Sequence, residues 1–312
     1  MSSFNIAVLG ENAPARAEAA QAIGKKGSID DIAFYHTVFG GKIVSAVDSL
    51  AYPAKLPALL NSINLCDWAL VLADAPSASL GEIIVALDFL GIPSVFVSLL
   101  DLSPFLSQTS LKESKIFHSF GEAKEFLLSQ EPARDLQAPC KVFVDHCFEV
   151  KGVGTVALGV VKQGTLHAHD KLSALPQDIA VEVKSIQKND DDVKEAFAGD
   201  RVGLSLKGTK SDEMPRGTVF AAGGVEAASE LSCEISLSKF CKTPISSGAF
   251  HLSAGLQFEP CFVEIAGELS PGKSASGKLK FEKPVAFSKG EKLVLCNLNA
   301  KGLRVIASVL PL

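Results

Sequence analysis

The chain has 312 residues, of which 47% are hydrophobic and 21% are charged, and its formal net charge is −5. This composition supplies enough apolar side chains for packed cores and excludes an intrinsically disordered chain. It also excludes a strongly basic nucleic-acid-binding protein, so any contact with RNA must depend on local patches or on shape, and DNA is not an expected partner.

The longest apolar stretch, Ile83–Leu100, is interrupted by Asp88, Gly91 and Pro93. This pattern predicts a helix, a turn and a strand, so we expect no membrane span. The first residues carry neither a basic start nor a cleavable apolar segment. We therefore expect no secretory signal and a cytoplasmic protein.

The cysteines and histidines give no metal-binding pattern. Seven cysteines are scattered singly, and no C-x-x-C pair occurs. Their odd number and spacing argue against a disulfide framework and against a cysteine zinc site. His167 and His169 could share one strand face, but no third ligand is near them in the sequence. We expect a solvated loop there and no metal.

The first third of the chain alternates strand and helix patterns. The predicted strands are Asn5–Leu9, Ala33–Phe39, Lys42–Asp48, Trp68–Leu72 and Ser94–Ser98, and the predicted helices are Pro14–Ile23, Leu56–Asn64, Ser79–Leu90 and Gly121–Gln130. The pair Gly40-Gly41 predicts a hairpin. This alternation is typical of a doubly wound α/β domain, which we place over residues 1–138.

The remainder of the chain has a different pattern. The segment Glu131–Pro139 contains two prolines and polar residues, which predicts a linker between separately folding units. From Lys141 to Leu312, short β-prone runs alternate with Gly-rich turns about every eight to twelve residues, which predicts small barrels or sandwiches. A division near Gly223-Gly224 gives two all-β domains, over residues 139–223 and 224–312.

The run Phe148–Gly159 closely resembles the opening of domain II in the translational GTPases. The forms Ser185-Ile186-Gln187 and Gly199–Leu204 are most similar to SelB, the selenocysteine-specific relative of elongation factor Tu. Lys278–Val285 and Gly290–Leu295 resemble domain III of that family. Further matching segments are Gly164, Asp170–Leu172, Val183–Gln187, Ala198–Leu204 and Arg216-Gly217. The resemblance implies a degenerate P-loop GTPase-like domain followed by two small β-barrels.

The phosphate-binding motif G-x-x-x-x-G-K-[ST] of that family would begin at Gly10. Ala15, Arg16 and Ala17 then stand at the second glycine, the lysine and the Mg²⁺-binding hydroxyl residue. Pro14 offers no N–H to a phosphate, and alanine disfavours the backbone angles that such a loop needs. The loop is therefore poorly suited to a nucleoside triphosphate.

The other GTPase motifs are altered in the same direction. The Mg²⁺-binding threonine of the switch segment aligns with Ile29. The D-x-x-G-H element keeps Asp48 but has Ala51 in place of its glycine and Tyr52 in place of its histidine. Of the guanine motif N-K-x-D, only Asp101 remains.

Mg²⁺ and a lysine normally neutralise charge in phosphoryl transfer. This sequence lacks both the side chains that bind Mg²⁺ and the lysine. We expect little or no GTP hydrolysis, no catalytic residue and no tightly bound cofactor. The alternative is a working GTPase with rewired motifs, in which Arg16 replaces the lysine and GTP with Mg²⁺ is bound.

By resemblance, the expected function is that of a SelB-like translation elongation factor that binds aminoacyl-tRNA, with the ribosome as a second partner. Specialised members of this family deliver unusual amino acids, and the resemblance extends to a methanogen relative proposed for pyrrolysyl-tRNA. We expect no counterpart of the SelB C-terminal extension that reads an mRNA element. A second alternative is a non-enzymatic adaptor that competes for a surface of the ribosome or of a translation factor.

The resemblance also supplies candidate site residues. It implies that Arg201 lies by the aminoacyl end of the tRNA, with Phe148 and Asp200 as further pocket candidates. The alternative for Arg201 is a structural ion pair with Asp200 or Glu149.

Two lysines in the last domain are candidate RNA contacts. Lys278 and Lys280 alternate with apolar residues, so they share one strand face and could contact an RNA backbone. The alternative is an ordinary solvated face of a barrel strand.

Overall fold

The computed structural model describes residues 1–312, and its first third is a seven-stranded sheet with helices on its faces. The strand order is β2-β3-β4-β1-β5-β6-β7. Strand β3 is antiparallel to both of its neighbours, and the remaining neighbours run parallel. The strands are β1 (Ser2–Gly10), β2 (Lys25–Ile29), β3 (Ala33–Phe39), β4 (Lys42–Asp48), β5 (Trp68–Leu72), β6 (Ser94–Val97) and β7 (Lys115–Phe117).

Three of the five helices in this front domain begin at a polar residue whose side chain caps the helix. The Ser77 hydroxyl accepts a hydrogen bond from the Leu80 amide at 3.0 Å, and Ser119 accepts one from Glu122 at 3.3 Å. These bonds satisfy amides that a helix start leaves unpaired. None of the helices combines the length and apolarity needed to span a bilayer. They are α1 (Ala13–Ile23), α2 (Leu56–Leu65), α3 (Ala78–Leu90), α4 (Ser103–Leu106) and α5 (Phe120–Leu128).

The second part of the chain, which we call barrel II, is a closed six-stranded ring. Its order is β11-β16-β8-β9-β15-β12, and the ring closes where β12 pairs with β11. Its strands are β8 (Lys141–Val150), β9 (Gly154–Gln163), β10 (Thr165–His167), β11 (Lys171–Leu175), β12 (Ile179–Lys188), β13 (Asp191–Val193), β14 (Glu195–Phe197), β15 (Arg201–Lys207) and β16 (Val219–Ala221). Strand β13 extends the ring beside β12, and β10 pairs with β14 outside it.

The last part, barrel III, is a closed barrel in the order β17-β20-β19-β18-β21-β22. Its strands are β17 (Glu226–Leu237), β18 (Gly248–Ala254), β19 (Gln257–Ile265), β20 (Ser274–Phe287), β21 (Leu293–Cys296) and β22 (Val305–Pro311). The predicted fold class, a doubly wound α/β domain followed by two small barrels, is confirmed.

One hydrophobic core is shared by all three parts. A cluster of 35 buried residues extends from Phe96 in the front sheet to Phe143 in barrel II and to Leu256 and Val294 in barrel III. Where the parts meet, the Phe143 ring packs under Gly255, and a Cβ added there would stand 2.8 Å from its Cζ atom. The front domain therefore packs directly on both barrels.

The proline-containing linker is bound to the front domain. Arg134 donates to both carboxylate oxygens of Asp67 and, at 2.8 Å, to the carbonyl of Ser3. Lys42 pairs with Glu131 at 2.5 Å. This differs from the expectation of two separately folding units, because the linker is anchored and the core continues across it.

Two strands of the front sheet, β2 and β7, were not predicted from the sequence. The residues of β2, Lys25–Ile29, are mostly exposed and do not alternate between apolar and polar, since an edge strand buries little. Strand β7 has only three residues. Both extend the sheet at its edges.

Candidate functional site

The connection between β1 and α1 is much shorter than a phosphate-binding loop requires. Strand β1 continues to Gly10 and α1 begins at Ala13, so two of the four residues between the motif's glycines are already helical. The Asn12 side chain accepts from the Ala15 amide at 3.2 Å, and the Asn12 carbonyl accepts from the Arg16 amide at 3.1 Å. These amides are committed to the helix start and are not free to cradle a phosphate.

Arg16 points from the first turn of α1 into the protein and is fully buried. Its Nε donates to Oδ1 of Asp48 at 2.9 Å, and its Nη1 donates to the carbonyl of Gly10 at 2.5 Å. Its Nη2 donates to the carbonyls of Ser49 and Tyr52 at 3.2 and 3.0 Å. The guanidinium thus binds the carboxyl ends of β1 and β4, at the edge where a doubly wound sheet usually holds its ligand.

Asp48 is buried with Arg16 and depends on it. Burial raises the pKa of Asp48, while the hydrogen bond and the charge of Arg16 act to lower it. Oδ1 accepts from Arg16, whereas Oδ2 has no hydrogen-bond partner. The two residues form an internal ion pair in which each charge compensates the other.

Ala51 and Tyr52 follow β4, where the Tyr52 carbonyl accepts from Arg16 while the Tyr52 side chain packs elsewhere. The Tyr52 side chain is buried, and its hydroxyl donates to the carbonyl of Ser79 in α3 at 3.0 Å. Burial raises the pKa of this phenol well above its ordinary value. The Ala51 amide donates to the carbonyl of Asp31 at 2.8 Å. Tyr52 therefore belongs to the packing between the turn and α3.

The segment aligned with the GTPase switch is a strand. Ile29 ends β2, pairs with Ala33 of β3, and leaves 54% of its side chain exposed. The following residues, Asp30 and Asp31, form ion pairs with Arg216 of barrel II. This segment joins the front domain to barrel II.

The remnant of the guanine motif forms hydrogen bonds within its own loop. Asp101 is exposed and accepts from the Ser103 amide at 2.9 Å, at the start of α4, and hydrogen bonds from Ser103 lower its pKa. The Ser98 hydroxyl donates to the carbonyl of Ala73 at 2.7 Å. Of the eight predicted nucleotide-site positions, the structure joins four through hydrogen bonds to Arg16, which are Arg16 itself, Gly10, Asp48 and the carbonyl of Tyr52. Ala15 and Ala17 flank Arg16 on α1, and Asp101 lies in a separate loop.

The three aminoacyl-pocket candidates are not brought together. Arg201 forms a two-pronged ion pair with Asp145 on β8, and its guanidinium carbon lies 3.7 Å from the centre of the Phe34 ring in the front domain. Phe148 is 42% exposed, beside Val156 on β9. Arg201 lies beside Val160 of the same strand, about 13 Å further along at the usual rise per residue.

The alternative prediction, that Arg201 forms an ion pair with Asp200 or Glu149, was wrong. Asp200 is buried and accepts from the Ser3 hydroxyl and from Lys188, each at 2.7 Å. Glu149 accepts from Thr155 at 2.8 Å. The actual partner, Asp145, lies 56 positions away in the sequence.

Arg201 belongs to a charged network between the front domain and barrel II. His146 Nδ1 lies 2.6 Å from Asp145, and Arg216 Nε donates to the Asp145 carbonyl at 3.2 Å. Burial would raise the pKa of Asp145, but the charge of Arg201 and the hydrogen bonds from His146 and Arg201 together lower it. Burial, followed by the charge of Arg201, lowers the pKa of His36 to about 4. Sequence reasoning missed this network, although a charged residue inside the apolar run of β8 is a signal for it.

The candidate RNA contacts in barrel III are ion-paired. Lys278 lies 2.7 Å from Glu230, and Lys280 lies 2.7 Å from Glu264. Each pair is exposed and electrically neutral as a unit. His167 ends β10 and His169 lies in the turn after it, and no group of metal-ligating side chains forms there.

The fold and the barrel II sequence define a three-domain protein of the translation-factor class. Residues 154–221 match the family described as "Elongation factor Tu domain 2". The uncharacterized protein MJ0325 of Methanocaldococcus jannaschii is 37% identical over 287 residues, which cover 89% of this chain and 91% of that protein. The selenocysteine-specific elongation factor of the same organism is 27% identical over 321 residues, covering 88% of this chain and 68% of the relative.

Solved structures share this architecture over the whole chain. Translation elongation factor SelB from Methanococcus maripaludis superimposes in its apo form with a TM-score of 0.85, at 22% identity, over 100% of this chain and 80% of that chain. Its complex with the GTP analogue GPPNHP gives a TM-score of 0.86 at 21% identity, over 100% of this chain and 79% of that one. The chain belongs to the SelB/elongation factor Tu-like family of translation factors.

Proposed function

We propose that this chain is a SelB-like elongation factor that binds aminoacyl-tRNA, and that its front domain neither binds GTP tightly nor hydrolyses it. Membership of the family supports the first part. The second part is supported chiefly by one observation, the buried Arg16 guanidinium at the carboxyl ends of β1 and β4.

The front domain disfavours a bound nucleotide in two ways. With no exposed surface, the Arg16 side chain must leave its carbonyl partners and Asp48 before it can contact a ligand. That movement would leave the buried Asp48 carboxylate without its counter-charge, which is strongly unfavourable. In addition, Ala17 and Ile29 offer no oxygen ligand to Mg²⁺. The front domain then serves as a fixed support for the two barrels.

Thermal unfolding with and without nucleotide tests this proposal. A ligand that binds only the folded state stabilises it by RT ln(1+[L]/Kd). We expect no rise in Tm with about millimolar GTP or GDP and Mg²⁺, because the site is closed by Arg16. The M. maripaludis SelB, whose structure with GPPNHP is known, is the positive control. A rise of several degrees in this chain would instead support the rewired GTPase.

The cargo is proposed to be a tRNA charged with a non-standard amino acid. Two similar relatives, from M. jannaschii and mouse, are selenocysteine-specific elongation factors. Pyrrolysine is the specific candidate, on the resemblance given above. Of the pocket candidates, Phe148 has the exposed surface that contact with a terminal base or an aminoacyl group requires. Arg201 acts in this proposal by holding Asp145 and Phe34 together.

A further inference from the structure

A cleft of about 420 Å³ lies between the front domain, the linker and barrel II. Its apolar walls include Cys66 after α2, Trp68 at the start of β5 and Val160 from β9. Its volume is within the range of pockets that hold small organic molecules. It lies beside the N-terminal end of β5, whereas Arg16 binds the carboxyl ends of β1 and β4.

Lys162 is the charged group that distinguishes this cleft. On β9, Val161 packs in the core of barrel II, so the neighbouring Val160 and Lys162 face outward toward the front domain. The Lys162 ammonium has no hydrogen-bond or ion-pair partner, and its Nζ lies 5.9 Å from the centre of the Phe143 ring. Burial lowers the pKa of Lys162, only partly offset by the charge of Asp67.

The other charges of the cleft are already compensated. Both oxygens of Asp67 accept from Arg134, and one of them also accepts from the Asn5 amide at 2.8 Å. Glu131 is paired with Lys42. The cleft therefore carries one uncompensated positive charge, on Lys162, against apolar walls.

We propose that this cleft binds a small organic carboxylate, with the carboxylate on Lys162 and the apolar body against Trp68 and Val160. A charge-assisted hydrogen bond to an ammonium is among the stronger polar contacts, especially where water is partly excluded. The apolar walls favour an organic anion over inorganic phosphate. Because the walls come from two domains and the linker, an occupant stabilises their arrangement. This cleft is separate from the residues aligned with the GTPase motifs and from the proposed tRNA-binding residue Phe148.

Benzoate, benzamide and inorganic phosphate are suitable probes, with binding measured by calorimetry on the full chain. Benzoate is expected to bind, and its neutral isostere benzamide is expected to bind at least about tenfold more weakly, since it lacks the charge that pairs with Lys162. Lys162→Met keeps the apolar stem and should weaken benzoate binding by at least about tenfold. Lys151→Met, at an exposed turn of the same barrel, is the matched control and should bind benzoate as the unmodified chain does.

Three results would overturn the proposal. The first is no benzoate binding at millimolar concentration to the unmodified chain. The second is equal benzoate affinity in Lys162→Met, which would place the anion elsewhere. The third is phosphate binding as tight as benzoate binding, which would reject an organic ligand. Circular dichroism of both variants establishes that they are folded.

Discussion

At the scale of single residues, Arg16 determines the character of the front domain. A positive charge at the first turn of α1 is compatible with two outcomes: a side chain that reaches out to a phosphate, or one that folds inward. In this protein the guanidinium folds inward and binds the carboxylate of Asp48 and the carbonyls of Gly10 and Tyr52. A network of this kind is strong only when every member is present.

The Arg16→Met substitution should lower the free energy of unfolding by about 3–5 kcal/mol at neutral pH, because it leaves Asp48 buried without its counter-charge. Replacing both residues, as Arg16→Met with Asp48→Leu, should recover most of the loss, since no charge then remains buried. Denaturant unfolding measures all three proteins. Equal stability of Arg16→Met and the unmodified chain would contradict the buried pair.

The pH dependence of the Arg16→Met loss has a defined sign. The folded-state pKa of Asp48 is raised, so the folded chain favours the protonated carboxyl. The contribution of Asp48 to stability is then present below its unfolded pKa and is lost as the pH rises through its folded pKa. Without Arg16 the folded pKa rises further, and the loss should shrink as the pH is lowered. A loss that grows toward acid pH would contradict this.

At the scale of elements, helix α3 links the front domain to barrel III. Glu82 of α3 is 2% exposed and accepts from Arg304 through two guanidinium nitrogens, at 3.0 and 2.7 Å. It also accepts from the Arg304 backbone amide at 2.9 Å. Three hydrogen bonds on one buried carboxylate fix the position of α3 against the start of β22.

Arg304→Ala should destabilise the protein by about 3 kcal/mol, because Glu82 is left buried with one remaining partner. Lys278→Ala removes an ion pair of similar length that is exposed on both sides, and its cost should be much smaller than that of Arg304→Ala. Thermal or urea unfolding compares the two variants directly. Similar losses for both would show that burial of Glu82 does not govern the contact.

Individual elements also show which parts of the structure could be predicted from the sequence. The hairpin predicted at Gly40-Gly41 joins β3 to β4, and β3 has the predicted bounds, Ala33–Phe39. Local turn chemistry determines the hairpin, and apolar alternation determines the strand. The burial of Arg16 was not predictable, since it depends on acceptors distant in sequence: the Asp48 carboxylate and the carbonyls of Ser49 and Tyr52. The Arg201–Asp145 pair was missed because it joins two strands that are 56 residues apart.

At the scale of the whole molecule, the three parts form one packed body. The shared cluster of 35 buried residues crosses both boundaries, and Arg134 fastens the linker to Asp67. An interface this apolar couples the unfolding of its parts, in contrast to domains joined by a free linker. A fixed arrangement is consistent with the proposal that this factor does not bind GTP tightly.

Unfolding should therefore be a single transition. Trp68 is the single tryptophan and lies in the front sheet, so its fluorescence reports the front domain, whereas far-ultraviolet circular dichroism reports all three parts. The two signals should change at the same denaturant concentration. A Trp68 transition that precedes the circular dichroism transition would show that the front domain unfolds independently.

Binding of aminoacyl-tRNA in the absence of nucleotide is the most direct test of the proposed function. The measurement is the protection of the aminoacyl ester from hydrolysis, made with and without GTP and Mg²⁺, with uncharged tRNA as competitor and with pyrrolysyl-tRNA beside a standard aminoacyl-tRNA. We predict equal protection with and without GTP, weak competition by uncharged tRNA, and strongest protection of the non-standard aminoacyl-tRNA. Absence of protection, or protection that requires GTP, would contradict a SelB-like factor with a closed nucleotide site.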